Sequence, residues 1–395
     1  MARSNEKTLY IASQTGGWDT DPSANGSGYL PIVAEEISEI PAGIEQLEVA
    51  YQDNRAFPKA NEVGAPSLAE ITCKIPLFGL GTGAGAGSAP PAVDVLDYLL
   101  SHILQTTGTL SGEGVGSGSS STNLVLDADA YSVGDLLAYS PGAGAASQWV
   151  EVTADAADGS YTVSPAMSPV AVTAGVIYGS RTWTPPATGL VGGDLLSLVI
   201  EDSSVGTYRA ANCRISSFTL EGQVGQRIMA DVTFQCDSIV EDSAAKTALP
   251  AALQSPPVTP VKALGSPIAF GGTYYGAAQF SLDLGLTTAP VNATSSLTGR
   301  AGHEVIGMAP QLTFTPLRTD AIRNFQRAAS TGSALLQLGA GALSGSVLNT
   351  LAVYMGNAQV TAVESQDDEG HARQQITLMA KDPGAAGVFF RVARA

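Results

Sequence analysis

The sequence predicts a mainly β protein: two tandem β units, each with one flanking α-helix, and a small inserted β module. Three observations predict it. A long hairpin at Asn212–Asp237, NCRISSFTLEGQVGQRIMADVTFQCD, returns in altered form at Asn357–Lys381, NAQVTAVESQDDEGHARQQITLMAK. Asn212 matches Asn357, Ile215 matches Val360, Phe218 matches Val363, and Val232-Thr233-Phe234 matches Ile376-Thr377-Leu378. In the first copy Phe218 and Leu220 share one face, as do Val232 and Phe234, which is the period of a half-buried strand. Gly225 and Gly370 fall in the turns, where positive φ costs glycine little. The second observation is compositional. With 44% hydrophobic and only 14% charged residues, the 395-residue chain has the means to bury a large core, and its 44 glycines and 22 prolines suit short strands with many turns. The third is that alternation with period two recurs along the chain, whereas helical spacing is confined to two segments.

Taken in order, residues 1–30 read as an N-terminal arm, with Leu9–Ala12 as a short strand and Gly16–Gly28 as loop. The first unit is predicted to be discontinuous, at 31–122 and 185–242. Within it Gln46–Tyr51 alternates through Leu47, Val49 and Tyr51, and Glu70–Leu77 alternates through Ile71, Cys73, Ile75 and Leu77. A Gly/Ala loop, Gly79–Gly87, leads to PPAVDVLDYLLSHIL. Pro90 and Pro91 suit a helix start, and Leu96, Leu99, Leu100 and Ile103 line one face of the helix. Thr107–Thr122, nearly all Gly, Ser and Thr, reads as a flexible linker. The inserted module follows at 123–184, with strands at Asn123–Leu126, Leu136–Tyr139, Trp149–Thr153, Tyr161–Ser164 and Val176–Tyr178 and a hairpin turn at Asp158-Gly159. Thr184–Gly193 reads as the return linker, and Leu195–Ile200 as the strand before the first long hairpin.

A Pro/Ala-rich connector, 243–263, precedes the second unit at 264–395. There Phe280, Leu282, Leu284 and Leu286 alternate in the manner of Leu47–Tyr51, and Gln311–Pro316 corresponds to Thr72–Leu77. A helix is expected at Asp320–Ala329, capped by Thr319, then strands at Leu335–Leu338 and Thr350–Tyr354. The offset between copies is about 240 residues at the pre-helix strand but 145 at the hairpin (Phe218 to Val363). An insertion in the first copy accounts for the difference.

The chemistry-bearing patterns are weak. Gly79-Leu80-Gly81-Thr82-Gly83-Ala84 fits G-x-G-x-x-A, but the strand before it alternates, two prolines stand before the helix, and no acidic strand end follows. Asp19-x-Asp21-x-Ser23 starts like a calcium loop, yet Ala24 and Leu30 occupy the positions of its glycine and bidentate Glu. The acidic turn Asp367-Asp368-Glu369 reads as a solvated tip. His102, His303 and His371 lack ligand spacing. No catalytic residue, cofactor site or metal site is predicted, and the chain is expected not to be an enzyme. Three cysteines, Cys73, Cys213 and Cys236, make no disulfide framework. Cys213 and Cys236, opposite each other near the hairpin's open end, read as small buried residues, since their counterparts are Ala358 and Ala380. The polar start MARSNEK has no apolar signal core, and no apolar run is long enough to span a membrane. Synthesis and residence in the cytosol are expected until the chain joins something. A net charge of −17 disfavours adhesion to nucleic acid. Long hairpins from repeated units can instead close a barrel and remove exposed edges.

Three stretches carry a family resemblance. EITCKIPLFGLGTGAGAGSAPPAVDVLDYLLSHIL, RISSFTLEGQVGQRIMADVTFQC and the module YSVGDLLAYSPGAGAASQWVEVTADAADGSYTVSPAMS together resemble the tail tube (major tail) proteins of bacteriophages with long non-contractile tails. The resemblance implies β-sandwich units with a flanking helix, whose hairpin sheets join an inner β-barrel. It implies hexameric rings stacked into a hollow tube, and a duplicated chain then needs three copies per ring. The implied partners are other copies of the chain, the tape measure protein, and the tail terminator and distal tail proteins. The implied place is the virion tail, assembled in the host cytoplasm, with viral DNA passing through the lumen and no membrane involved. A negative wall would let DNA slide without sticking, with Glu221, Asp231 and Asp237 as candidate wall carboxylates; the insert would project outward. The alternatives are a distal tail or hub adaptor ring, a glycan-binding virion module that stacks sugars on Trp149 and Tyr161, and a glycan hydrolase with paired carboxylates.

Overall fold

The structure is a computed structural model. It describes residues 7–14, 21–23, 26–38, 44–48, 61–66, 69–77, 95–126, 131–141, 148–156, 158–168, 175–186, 195–202, 206–241, 263, 267–292, 300–316, 330–339, 350–368, 371–382 and 389–395. The Gly79–Gly87 loop, the expected helix at Asp320–Ala329, the 243–262 connector and the Gly370 turn lie outside the described residues.

The chain opens with β1 (Lys7–Gln14), β2 (Leu30–Ile32), β3 (Glu36–Ile37), β4 (Ile44–Glu48), β5 (Asn61–Pro66) and β6 (Ala69–Pro76), followed by helix α1 (Val95–Ile103) and β7 (Gln105–Leu110). A small sheet follows, made of β8 (Glu113–Gly114), β9 (Asn123–Val125), β10 (Leu136–Ser140), β11 (Gln148–Asp155), β12 (Ser160–Ser164) and β13 (Val176–Tyr178). The chain returns through β14 (Ser180–Thr184), β15 (Leu195–Asp202), β16 (Gly206–Gln223), β17 (Met229–Cys236) and β18 (Ser238–Glu241). The second half runs β19 (Ile268–Phe270), β20 (Thr273–Tyr275), β21 (Ala277–Asp283), β22 (Leu286–Asn292), β23 (Arg300–Met308), β24 (Gln311–Pro316), β25 (Thr331–Leu338), β26 (Leu351–Asp368), β27 (His371–Ala380) and β28 (Phe390–Arg394). The fold is mainly β, as the sequence predicts.

The duplication extends to hydrogen-bond register. Phe218 faces Val232 in the first hairpin and Val363 faces Ile376 in the second. Each hairpin has a bulge at the same place, between Ile215 and Ser217 and between Val360 and Ala362. The strand that precedes each hairpin also bulges at matching positions, Leu196/Leu198 and Gly332/Ala334. Matching pairs continue outward: β1 on β15 as β19 on β25, β2 on β1 as β20 on β19, and β18 on β16 as β28 on β26. Bulges bend a strand and raise its twist. The two 18-residue strands β16 and β26 therefore pass from an outer layer into an inner one, and their continuity links 18 strands into one hydrogen-bonded sheet. The main core lies between the layers. It runs without a break from Leu9, Ile71 and Phe234 in the first half to Phe280, Phe314, Leu378 and Phe390 in the second.

Three expectations are corrected. The counterpart of β21 is β3, not Gln46–Tyr51. Ile37 pairs with Cys73 on β6 as Phe280 pairs with Phe314 on β24; the same ladders match Thr72 to Thr313, two residues on from the expected match of Thr72 to Gln311. Ile44–Glu48 belongs instead to the β4–β5 hairpin, the counterpart of β22–β23. Only Ile37 of β3 packs against the core, so the strand leaves too short a hydrophobic trace to read. The second correction concerns Thr107–Thr122, read as a linker, which carries strands; the return linker beyond residue 186 lies outside the described residues. β7 pairs with β14 from Gln105↔Thr184 to Leu110↔Ser180, and β8 pairs with β13. The small residues of Thr107–Thr122 serve close packing: a Cβ on Gly116 would sit 3.3 Å from the Val125 carbonyl oxygen. Third, Cys213 and Cys236 are buried, as read, but they are bonded to each other as a disulfide.

The small sheet, in the order β8-β13-β10-β11-β12-β9, closes on itself through a bridge between Val115 and Leu126. Leu137, Tyr139, Val150, Val152 and Tyr161 fill its interior. Its opposite face, Leu136, Ala138, Trp149 and Tyr178, packs on Ala269, Leu335, Ala352, Tyr354 and Ala393 of the second unit's outer layer. Both faces of β10 are thus buried.

A polar clamp ties helix, insert and C-terminus together. Arg394 Nη1 donates to Asp97 Oδ1 at 2.8 Å, and Arg181 Nη1 donates to Asp97 Oδ2 at 2.9 Å, with Asp97 and Arg394 both buried. Removing one member of a buried charge group strands the others. Asp97→Asn is therefore expected to destabilise the protein by about 3–5 kcal/mol, read as a lower denaturation midpoint; an unchanged midpoint would show that the clamp is dispensable. At the insert's dock, burial raises the Glu151 carboxyl above its ordinary range, opposed by the Tyr354 hydroxyl bonded to it and by the Arg391 charge. A raised pKa means that the fold favours the protonated acid. Its stabilising contribution is complete below the unfolded pKa and is lost as pH rises through the folded one. Glu151→Gln should accordingly raise the melting temperature at pH 8 and leave it unchanged at pH 4.

Candidate functional site

The seam between the two halves creates the most distinctive surface. Thr219–Gln223 of β16 pair antiparallel with Asp283–Gln279 of β21. This joins the strand series β3-β6-β17-β16 to the series β21-β24-β27-β26 in one continuous sheet with a half-barrel form. Phe280 seats over Gly222 at the seam, where a Cβ on the glycine would fall 2.5 Å from the ring. Leu220 faces Leu282 beside it. Glycine is required here by close approach.

Strict alternation sends one set of side chains into the core and the other to the concave face. Ile71, Cys73, Ala230, Val232, Phe234, Phe218, Leu220, Phe280, Leu282, Leu312, Phe314, Ile376 and Leu378 are buried. The intervening residues, Met229 and Met379 apart, are polar: Glu70, Thr72 and Lys74 on β6; Asp231, Thr233 and Gln235 on β17; Arg214, Ser217, Thr219, Glu221 and Gln223 on β16. The second half adds Gln279, Ser281 and Asp283 on β21, Gln311, Thr313 and Thr315 on β24, and Arg373, Gln375 and Thr377 on β27. A hollow of about 400 Å³ on this face is lined by residues of both halves, among them Lys74, Glu221, Asp231, Gln279, Thr313 and Gln375.

The repeat extends to the chemistry of this face. The hydroxyls of Thr72 and Thr233 lie 3.2 Å apart, and those of their counterparts Thr313 and Thr377 lie 3.3 Å apart. Ser216 Oγ donates to the Thr233 carbonyl at 3.2 Å, as Thr361 Oγ1 donates to the Thr377 carbonyl at 3.2 Å. These belts are uncharged. Acidic groups outnumber basic ones: Glu35, Glu36, Glu70, Glu221, Asp231, Asp283 and Glu364 stand against Lys74, Arg214, Arg227 and Arg373. Lys74 has its pKa raised, first by its hydrogen bond to Glu36 at 3.0 Å and by that carboxylate's charge, then by Asp231 and Glu221.

Of the three carboxylates singled out from the sequence, Glu221 and Asp231 lie on this face. Asp237 does not: it is buried, with Oδ1 3.4 Å from Nδ1 of buried His303 on β23. Trp149 and Tyr161 are both fully buried and offer no exposed ring to a sugar. In the calcium-like stretch, Asp21 Oδ1 accepts from the Ser23 amide and the Tyr29 hydroxyl, so its carboxylate holds a turn. The sequence reading passed over Asp283, Glu364 and the threonine pairs. Their polar i, i+2 pattern, complementary to the apolar one, was the available signal.

A serine–histidine pair also stands out. His102 Nδ1–H donates to the Tyr98 carbonyl at 2.8 Å, so the Nε2 of the neutral ring accepts from Ser13 Oγ at 2.9 Å. Tyr98 Oη donates to the same serine oxygen at 2.6 Å. The serine is engaged from both sides, and the group pins β1 to α1.

A scan of protein-family models and a search of curated proteins return no match to this chain.

The two faces predict distinct reactivity. Cys73 is buried and its thiol is pushed up to about 12, chiefly by desolvation and further by Asp231. Since the thiolate is the reactive form, Cys73 should resist iodoacetamide at pH 8 in the native protein. A cysteine at Thr313, on the polar face, should react readily under the same conditions. Mass spectrometry of the labelled peptides reads both, and equal labelling would contradict the assignment of faces.

Proposed function

We propose that this chain is the repeating subunit of a bacteriophage tail tube. Three copies supply six units to a ring, the rings stack head to tail, and viral DNA passes through the bore. The observation that carries the reading is the seam: two register-matched units already lie side by side in one sheet, with a polar, mostly acidic concave face. A sheet that can repeat in one rotational direction closes a barrel and leaves no edge for unwanted pairing. The resemblance of the Glu70–Leu104 and Arg214–Cys236 stretches to tail tube proteins points the same way.

The chemistry of the face suits a conduit. Carboxylates repel phosphates, and neutral Thr, Ser and Gln side chains hydrogen-bond to water without fixing a polyanion. The insert packs on the outer layer, on the side of the core away from the concave face. It would decorate the outside of such a tube.

Negative-stain electron microscopy of concentrated protein tests the reading. Hollow tubes with a regular axial repeat are expected; particles that remain single chains at high concentration would overturn it. Reversing the wall charge with Glu221→Lys, Asp231→Lys and Asp283→Lys should leave assembly intact. It should tighten retention of double-stranded DNA at low salt by at least an order of magnitude, with a steep salt dependence.

A further inference from the structure

We propose that the ring closes by β-strand addition in one definite register: the outer edge of β26 at Glu364–Asp368 receives β3 of a second copy of this chain. The inference rests on the ring-assembly reading and specifies the contact that makes the ring. Counterpart positions fix the register. Thr219–Gln223 of β16 corresponds to Glu364–Asp368 of β26, because Phe218 and Val363 hold matching places opposite Val232 and Ile376. The segment of β16 is covered by β21. The segment of β26 pairs with β27 on one side, and among the described residues no strand pairs with its other side.

The complementary edge is at the other end of the same sheet. β3 is the counterpart of β21, and it pairs with β6 as β21 pairs with β24. Among the described residues no strand covers the outer side of β3 either. Inside the chain, β21 uses that side to bind β16. One chain therefore carries a donor edge and an acceptor edge that match its own internal seam. A second copy is the occupant whose edge geometry is already represented in the fold. Such a contact is heterologous, and it propagates around a ring when the rotation closes.

The register follows by transfer. Glu221↔Ser281, Gly222↔Phe280 and Gln223↔Gln279 in the internal seam become Gln366↔Ser38, Asp367↔Ile37 and Asp368↔Glu36 between copies. At the internal seam Ser281 Oγ lies 3.5 Å from Glu221 Oε1, so the side chains of that pair reach each other. The two seams differ in character. Leu220 and Phe280 are buried at the internal one, while Ser365, the counterpart of Leu220, is exposed. Both edges are acidic in sequence, with Glu35 and Glu36, ion-paired to Arg227 and Lys74, on one and Glu364, Asp367 and Asp368 on the other. The contact between copies is therefore charged where the internal seam is apolar, which makes it sensitive to salt.

The test uses two single variants of the full chain, Ser38→Cys and Gln366→Cys, mixed under assembly conditions and oxidised. Directly opposed residues on neighbouring strands have Cβ atoms about 4.5–5.5 Å apart, within disulfide reach after small adjustment. The expected result is a reducible covalent dimer from the mixture and from neither variant alone, together with a ladder of higher species from the Ser38→Cys/Gln366→Cys double variant. Ser38→Cys mixed with Ser365→Cys, one residue out of register, should give little dimer. Rings or tubes in the micrographs with no in-register dimer would overturn this contact and leave the assembly reading standing. Absence of both rings and dimers would overturn both.

Discussion

The polar concave face depends on one pairing, that of β16 with β21. The two halves also meet through β14 on β28, the insert's dock and the Asp97 clamp, but none of these joins the two inner sheets. Through the β16–β21 pairing, two concave polar faces become one, and Phe280 from the second half closes over Gly222 of the first. The seam is apolar on the core side, where Leu220 meets Leu282 and both are buried, so it is part of the folding core rather than a docked interface. Burying apolar area in this way is the dominant favourable term in folding. Everything proposed about assembly repeats this contact once more, across a boundary between chains.

The bulges make the arrangement possible. Each long strand serves two layers, and a strand can do so only if it bends where the layers part. The bulges recur at matching positions in both halves. Neither half has drifted in the geometry of its hairpin, although their sequences have diverged far enough that Cys213 and Cys236 face each other in one and Ala358 and Ala380 in the other. The insert is anchored differently. It leaves and re-enters through the β7–β14 pair, docks by an apolar patch on the second unit, and is tied through Arg181 to Asp97 and Arg394. A module fixed at three places is a rigid attachment, not a tethered appendage.

Much of this was legible in the sequence, and the exceptions have physical causes. The hairpin alignment was readable because alternation is imposed by burial of one face. The Val232-Thr233-Phe234 and Ile376-Thr377-Leu378 matches fall on the same places in the sheet. β3 was not readable, since a two-residue strand at an edge has one core residue and no period. The Gly/Ser/Thr stretch beyond α1 was mistaken for a linker because that composition suits both flexible chain and closely packed short strands. Ser119 illustrates the second case: its hydroxyl accepts from the Val125 amide at 3.0 Å. The Asp97 clamp left no local trace, its partners lying 84 and 297 residues away. Of the polar face, Glu221 and Asp231 were identified. Asp237 was misplaced because the chain bends between β17 and β18, and there it meets His303 from a hairpin with no marked relation to it in sequence.

The central claim is that an internal duplication halves the number of chains in a ring. Native mass spectrometry of the smallest assembled species tests it most directly. The account predicts a ring of three chains of 40.2 kDa each, with larger species in multiples of that ring. A six-chain ring, or a 40.2 kDa species that persists at every concentration, would contradict it.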